Sequence, residues 1–263
     1  MQSERFFGGF MIIDNTSYRS QSFESRVCFL VMHYTVSNFQ RSVAELTEPF
    51  SVSVQYVVPD PTDPSYVAAG FSGVRIFNLV DEQNRAYHAG VSSWRGRTNL
   101  NDTSIGIEIV NTAHDGEHGE IIFVPYNPEQ IQAVIELAKD ILQRYPTIVP
   151  INVVGHSDIA PLRKSDPGPL FPWYELYKAG IGTWYEEDTK ARYLQQYALS
   201  GIDPRDVLKK LGKFGYDVSA ATDADGTKAL LRAFQMHYRP AKYDGVLDTE
   251  TAAILAALVE KYC

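Results

Sequence analysis

The sequence predicts an α/β fold, a central sheet covered on both faces, followed by a small three-helix unit at the C-terminus. Three observations carry this. The run RVCFLVMHY, residues 26–34, is apolar on both faces of an extended chain, the pattern of a strand buried between two layers. Further β-forming runs alternate with amphipathic helical ones over the first two-thirds of the chain. Beyond Pro204 the strand patterns stop and three helical patterns follow.

Taken in order, the N-terminal stretch MQSERFFGGFMIIDNTSYRS has an acidic residue beside its arginine and a short apolar patch broken by Gly8 and Gly9. It lacks the basic start, long apolar middle and small-residue cleavage site of a secretory signal. The expectation is a cytoplasmic protein or one exported by a specialised route, and a periplasmic one if this end has been trimmed. The strand over residues 26–34 delivers His33 to a sheet edge. Phe39, Val43 and Leu46 recur at helical spacing after Ser37 or Asn38 as cap. Residues 52–58 read as a strand that stops at Pro59, residues 59–64 as a loop, and residues 74–80 as another strand. SIGIEIVN, residues 104–111, alternates isoleucine with Gly106 and Glu108. His114 and His118 fall in a glycine-rich turn. Residues 128–145 form an amphipathic helix with Asn127 as N-cap and Pro146 just past its end. Residues 151–155 are a strand leading to His156, and the loop beyond it is stiffened by Pro161, Pro167, Pro169 and Pro172.

The last third begins with a charged helical connector from Trp184 and a boundary at Gly201–Pro204. Helical patterns follow over residues 205–214, 228–238 and 249–262, the last capped by Asp248 or Thr249. In the second, Leu230, Leu231 and Phe234 share a face with His237, which reads as a boundary residue. The expected division is 1–184, a connector at 185–202, and 203–263.

Composition bounds the function. A net charge of −8 argues against a protein that tracks nucleic-acid phosphates. Hydrophobic content of 44% and charged content of 21% are ordinary for a soluble globular chain, so no membrane insertion is expected. Cys28 and Cys263 belong to no spaced framework, so neither a disulfide nor thiolate metal ligation is expected.

The chemistry gathers in residues 153–173, VVGHSDIAPLRKSDPGPLFPW. His156 and Asp166 are good zinc ligands, and His33, ending another apolar run, is the best third. Two histidines and one carboxylate leave a tetrahedral zinc with an open fourth position, the catalytic arrangement. Glu108, in the middle of an apolar strand, is costly unless protonated, paired or used. Use is the preferred reading: it suits a group that takes a proton from the attacking water and hands it to a leaving amine, the alternative being a buried ion pair. Lys164 can steady an oxyanion or sit in solvent. The stretch AYHAGVSSWRGRTNLNDTS, residues 86–104, has the composition of a surface loop suited to hold a sugar or peptide. His88, Trp94, Arg97 and Asn101 are its candidate substrate-binding residues, with His88 as a groove residue or one behind the ligands.

These motifs together resemble the zinc-dependent N-acetylmuramoyl-L-alanine amidases of the AmpD/AmiD type. The likeness runs through VMHYT at His33, AYHAG at His88, LNDTSIGIEIVN at Glu108 and GHSDIAPLRKSDPGPLFPW from His156, and is nearly continuous over the first two-thirds of the chain. It implies a mixed sheet flanked by helices, as in peptidoglycan recognition proteins. It further implies zinc on His33, His156 and Asp166, catalysis by Glu108 and Lys164, and cleavage of the amide joining N-acetylmuramic acid to L-alanine in peptidoglycan or its fragments. Tyr87 stands where the family often has tryptophan. The segment RAFQMHYRPAKYDGVLDTETAAIL resembles the small three-helix peptidoglycan-binding domain, which implies an anchor for polymeric wall and a substrate larger than a soluble muropeptide. A zinc peptidase cutting within the stem peptide and a non-catalytic recognition module are the alternatives.

Overall fold

The run that is apolar on both faces becomes the second strand from one edge of a five-stranded sheet, with neighbours on either side. In the computed structural model, which describes residues 13–14, 16–117 and 120–263, β1 (Phe29–Tyr34) runs parallel to β6 (Ser104–Ile109) on one side and to β9 (Val153–Gly155) on the other. The reading of the extreme N-terminus rests largely on residues outside those described, and His118 lies outside them too. β2 (Tyr56–Val58) adds in parallel to β6, and β3 (Phe77–Asn78) closes the edge antiparallel to β2. The order is therefore β3-β2-β6-β1-β9, a mixed sheet as the resemblance implied.

Helices cover the sheet. α1 (Phe39–Thr47) is capped by Asn38, whose side chain accepts from the Arg41 N–H. α3 (Pro128–Arg144) is capped by Asn127 with Pro128 at its first turn, and it buries Ile131, Val134, Ile135, Leu137, Ala138 and Ile141. The isoleucine, valine and leucine side chains among these contribute roughly 1.5–3 kcal/mol each when fully buried.

Four stretches differ from expectation. Residues 52–58 and 74–80 pair as strands only at β2 and β3, because their flanks bond to loops: the Ser53 N–H donates to Tyr87 O at 3.2 Å and the Leu79 N–H to Gln55 O at 2.8 Å. The loop at residues 59–64 ends in a short helix, α2 (Pro64–Ala68), because Asp63 caps it and also accepts from the Phe39 N–H at 2.6 Å, tying it to α1. The 86–104 segment folds its middle into a hairpin, β4 (Ser93–Trp94) with β5 (Arg97–Thr98). A second small hairpin pairs β7 (His114–Asp115) with β8 (Ile121–Ile122).

After β9 come α4 (His156–Ile159) and α5 (Trp173–Lys178), then α6 (Glu187–Ser200), α7 (Pro204–Phe214), α8 (Ala224–Tyr238) and α9 (Thr249–Tyr262). Asp203, Asp223 and Asp248 cap the last three. α6 lies along α9, held by Arg192 and Tyr193 on Glu260. The interior is continuous from the sheet into these helices. Trp94 meets Tyr216 edge-on at 4.8 Å and Phe214 at 6.1 Å, and Trp173 stacks on His237 at 3.8 Å. Gly215 has φ +153°, and a Cβ there would stand 2.6 Å from the Trp94 ring, so only glycine lets the chain pass so close. His237, expected at a boundary, is 2% exposed because its partners come from the other part of the chain.

Candidate active site

Sheet register assembles the site. His33 in β1 lies opposite Glu108 in β6, and Met32 lies opposite Gly155 in β9, so His156 follows at the same level. Paired residues of parallel strands point to one face about 4.8 Å apart. The three groups therefore emerge side by side at the carboxyl ends of the strands, where open α/β sheets bind their ligands. Asp166 arrives from the proline-rich loop, its backbone carbonyl accepting from the Ser157 N–H at 2.8 Å.

His33 Nδ1, His156 Nδ1 and Asp166 Oδ2 form a triangle with every edge 3.0 Å, and all three side chains are buried. The surrounding bonds fix where the protons are. The Ser104 hydroxyl donates to Leu100 O at 2.6 Å, so its oxygen accepts from His88 Nε2–H at 3.2 Å. That leaves His88 Nδ1 to accept from His33 Nε2–H at 2.9 Å, and His33 Nδ1 carries a lone pair. His156 Nε2–H donates to Ala89 O at 3.1 Å, which likewise frees its Nδ1. Three acceptor atoms without a proton among them face one another, an arrangement that calls for a cation. The donor set fits a divalent metal with nitrogen and oxygen preference.

The low values of His33 and His88 agree with unprotonated rings. Burial first, then the neighbouring His156, lowers the His33 pKa to about 4, against the pull of Asp166. Burial and the charges of His33 and His156 hold His88 well below the usual histidine range. Burial pushes the Asp166 carboxyl up, but His156 and His33 outweigh it and leave it well below the usual carboxylate range.

A cleft of about 200 Å³ opens over the triangle, lined by Glu108, Lys164, His88, Glu45, Tyr34 and Ser53 among others. Glu108 Oε2 is sealed from solvent and has no hydrogen-bond partner. Burial, then the charge of Asp166, pushes this carboxyl up to about 8, with Lys164 opposing. Among the described residues, no ion pair forms that would explain Glu108 structurally.

The four candidate groove residues separate. His88 is buried behind His33 and also lines the cleft. Trp94 is 1% exposed, its indole N–H donating to Ile151 O at 2.9 Å, so it is an interior residue and not a sugar platform. Asn101 is also interior; its Oδ1 accepts from the backbone N–H groups of His88 and Ala89 and so holds the AYHAG turn in place. Arg97 is half exposed and pairs with Glu24 at 3.0 Å. Tyr87 is exposed, with Arg85 over its ring. Sequence reasoning missed Ser104, which orients His88, and Arg163, which donates to Ala89 O and Val91 O at 2.9 Å.

Three ligand atoms that could hold a metal ion, beside a sealed carboxyl group on this scaffold, are the equipment of a hydrolase. Residues 23–169 match the family described as N-acetylmuramoyl-L-alanine amidase (Amidase_2), and the chain belongs to that family. It is 46% identical to the N-acetylmuramoyl-L-alanine amidase AmiD of Escherichia coli K12, over 94% of this chain and 88% of that protein. Among solved structures it is similar to AmpDh3 of Pseudomonas aeruginosa in complex with anhydromuramic pentapeptide, with TM-score 0.93 and 56% identity over 96% of this chain and 99% of that one. It is also similar to E. coli AmiD in complex with anhydro-N-acetylmuramic acid-L-Ala-D-γ-Glu-L-Lys, with TM-score 0.84 and 44% identity over 96% and 95% of the two chains. No helix among the described residues is long and apolar enough to cross a membrane.

Proposed function

We propose that this amidase is zinc-dependent and hydrolyses the amide joining the lactyl group of N-acetylmuramic acid to L-alanine, using His33, His156 and Asp166 as ligands. The meeting of three proton-free acceptor atoms 3.0 Å apart, next to an unpartnered buried carboxyl group, carries this reading. A bound zinc supplies Lewis acidity, which polarises a carbonyl and makes water a competent nucleophile near neutral pH.

The chain's own groups do the rest. Glu108 Oε2 takes a proton from the water that adds to the carbonyl carbon, and returns it to the amine of L-alanine as the C–N bond breaks. Lys164, in the same cleft, faces the carbonyl oxygen as negative charge develops there. His88 and Ser104 hold the His33 ring in its metal-binding tautomer, and Ala89 O does the same for His156. The bound ligands of the AmpDh3 and AmiD structures support muramyl peptides, 1,6-anhydro ends included, as the substrate class. The likeness of the C-terminal helices to a small peptidoglycan-binding domain supports contact with polymeric wall as well.

The test is to incubate the purified protein with muropeptides and with intact sacculi, with and without a zinc chelator, and identify products by mass spectrometry. Chelator-sensitive release of peptides beginning with L-alanine is expected, whereas cuts inside the stem peptide overturn the reading. His33→Ala and Asp166→Ala lose both zinc and turnover, while Glu108→Ala keeps zinc and loses turnover. Full zinc content in the first pair refutes the ligand assignment.

A further inference from the structure

We propose that the C-terminal helices are a working part of the metal site, because Tyr216 and His237 clamp Asp158 and thereby fix the short helix that carries His156. The inference rests on the metal reading above.

α4 is only four residues long and has little stability of its own. It nevertheless carries two duties: it begins with His156, and its Ser157 N–H holds the backbone of Asp166. What fixes it is Asp158, 1% exposed and two residues beyond the histidine. Oδ1 of Asp158 accepts from the Tyr216 hydroxyl at 2.6 Å, and Oδ2 accepts from His237 Nδ1–H at 2.7 Å and from the Gly155 N–H at 2.8 Å. Two of these three donors come from beyond residue 203, and both are buried, Tyr216 at 3% and His237 at 2% exposed. The His237 ring is itself locked in a stack between Trp173 and Tyr238, at 3.8 and 3.9 Å.

A buried carboxylate is held in place only where donors meet its oxygens, since unmet lone pairs draw it toward water. With Tyr216 and His237 in place, Asp158 has one geometry and α4 one orientation. Without them it keeps the Gly155 N–H alone, and the helix is free to turn His156 Nδ1 away from the triangle. Tyr216 and His237 are positioning residues, acting through Asp158 and touching neither substrate nor metal.

The test uses the full chain. Tyr216→Phe removes one oxygen, and His237→Phe removes the donor while keeping a stacking ring. His237→Gln returns an N–H. Leu258→Ala, in the core of α9, weakens the same helical unit away from Asp158. Zinc affinity is measured by chelator competition, and ligand geometry by the absorption of the cobalt-substituted protein. Tyr216→Phe and His237→Phe should bind zinc about tenfold more weakly with a changed cobalt spectrum. His237→Gln should recover most of the affinity, and Leu258→Ala should lower the melting temperature with affinity unchanged. Wild-type affinity and spectrum in Tyr216→Phe overturn the inference even where His237→Phe fails to fold, and so does an equal loss in Leu258→Ala. A wild-type protein that binds no zinc refutes the metal reading itself, a result distinct from unchanged variants of a zinc-binding parent.

Discussion

Glu108 sets the strongest expectation at the scale of single residues. In the metal-free protein its carboxyl is pushed up to about 8 from 4.5, so the folded chain keeps a proton that the unfolded chain gives up above about 4.5. Its contribution to stability is therefore present at low pH and lost as pH rises from about 4.5 to about 8. His33, lowered to about 4 from 6.5, works the other way: the unfolded chain takes the proton first, and stability falls as pH drops through that window. Comparison with Glu108→Gln isolates the first effect. The metal-free variant should gain roughly 2–4 kcal/mol over the parent between pH 5 and pH 8, read by urea unfolding at both values. A difference that does not change with pH sinks this account. The meeting of His33, His156 and Asp166 was legible in the chain because each histidine ends an apolar run and the aspartate sits in a proline-stiffened loop. His237 was misread because its partner, Asp158, is 79 residues away, and helical spacing shows only which face a residue is on.

Among the elements, β6 shows how backbone and site are matched. Gly106 lies two residues before Glu108 on the same face, and its N–H donates to Gln55 Oε1 at 2.8 Å. A Cβ at Gly106 would stand 2.7 Å from Cγ of the buried His88 ring. Gly106→Ala should therefore cost about 1–3 kcal/mol in urea unfolding and push His88 off His33. An alanine variant as stable as the parent would show that the ring has room to move. The sequence showed a small residue between isoleucines but not what occupied the space. The same limit explains Trp94 and Asn101. A stretch rich in glycine, serine and asparagine reads as surface, and the residues that bury Trp94, Phe214 and Tyr216, lie about 120 positions further on. Strands β2 and β3 came out short for a related reason, since side-chain alternation does not reveal whether a sheet neighbour or a loop takes the backbone bonds.

For the whole molecule, the sequence divides the chain at a Gly-Ile-Asp-Pro boundary into a hydrolase and an anchor. The interior ignores that boundary: one cluster of buried side chains runs from β1 to α9. A chain that shares its core in this way should unfold as a unit. Far-ultraviolet dichroism and zinc release are expected to follow one denaturation curve, and two separated transitions would restore the picture of independent parts. The seam also gives the protein an optical property. All three tryptophans, Trp94, Trp173 and Trp184, are buried against residues of the C-terminal helices, and none lies elsewhere. Their emission therefore reports on one boundary only. A red shift marks water entering between the sheet and the helices, and an unshifted spectrum marks a closed seam, whatever the rest of the chain is doing.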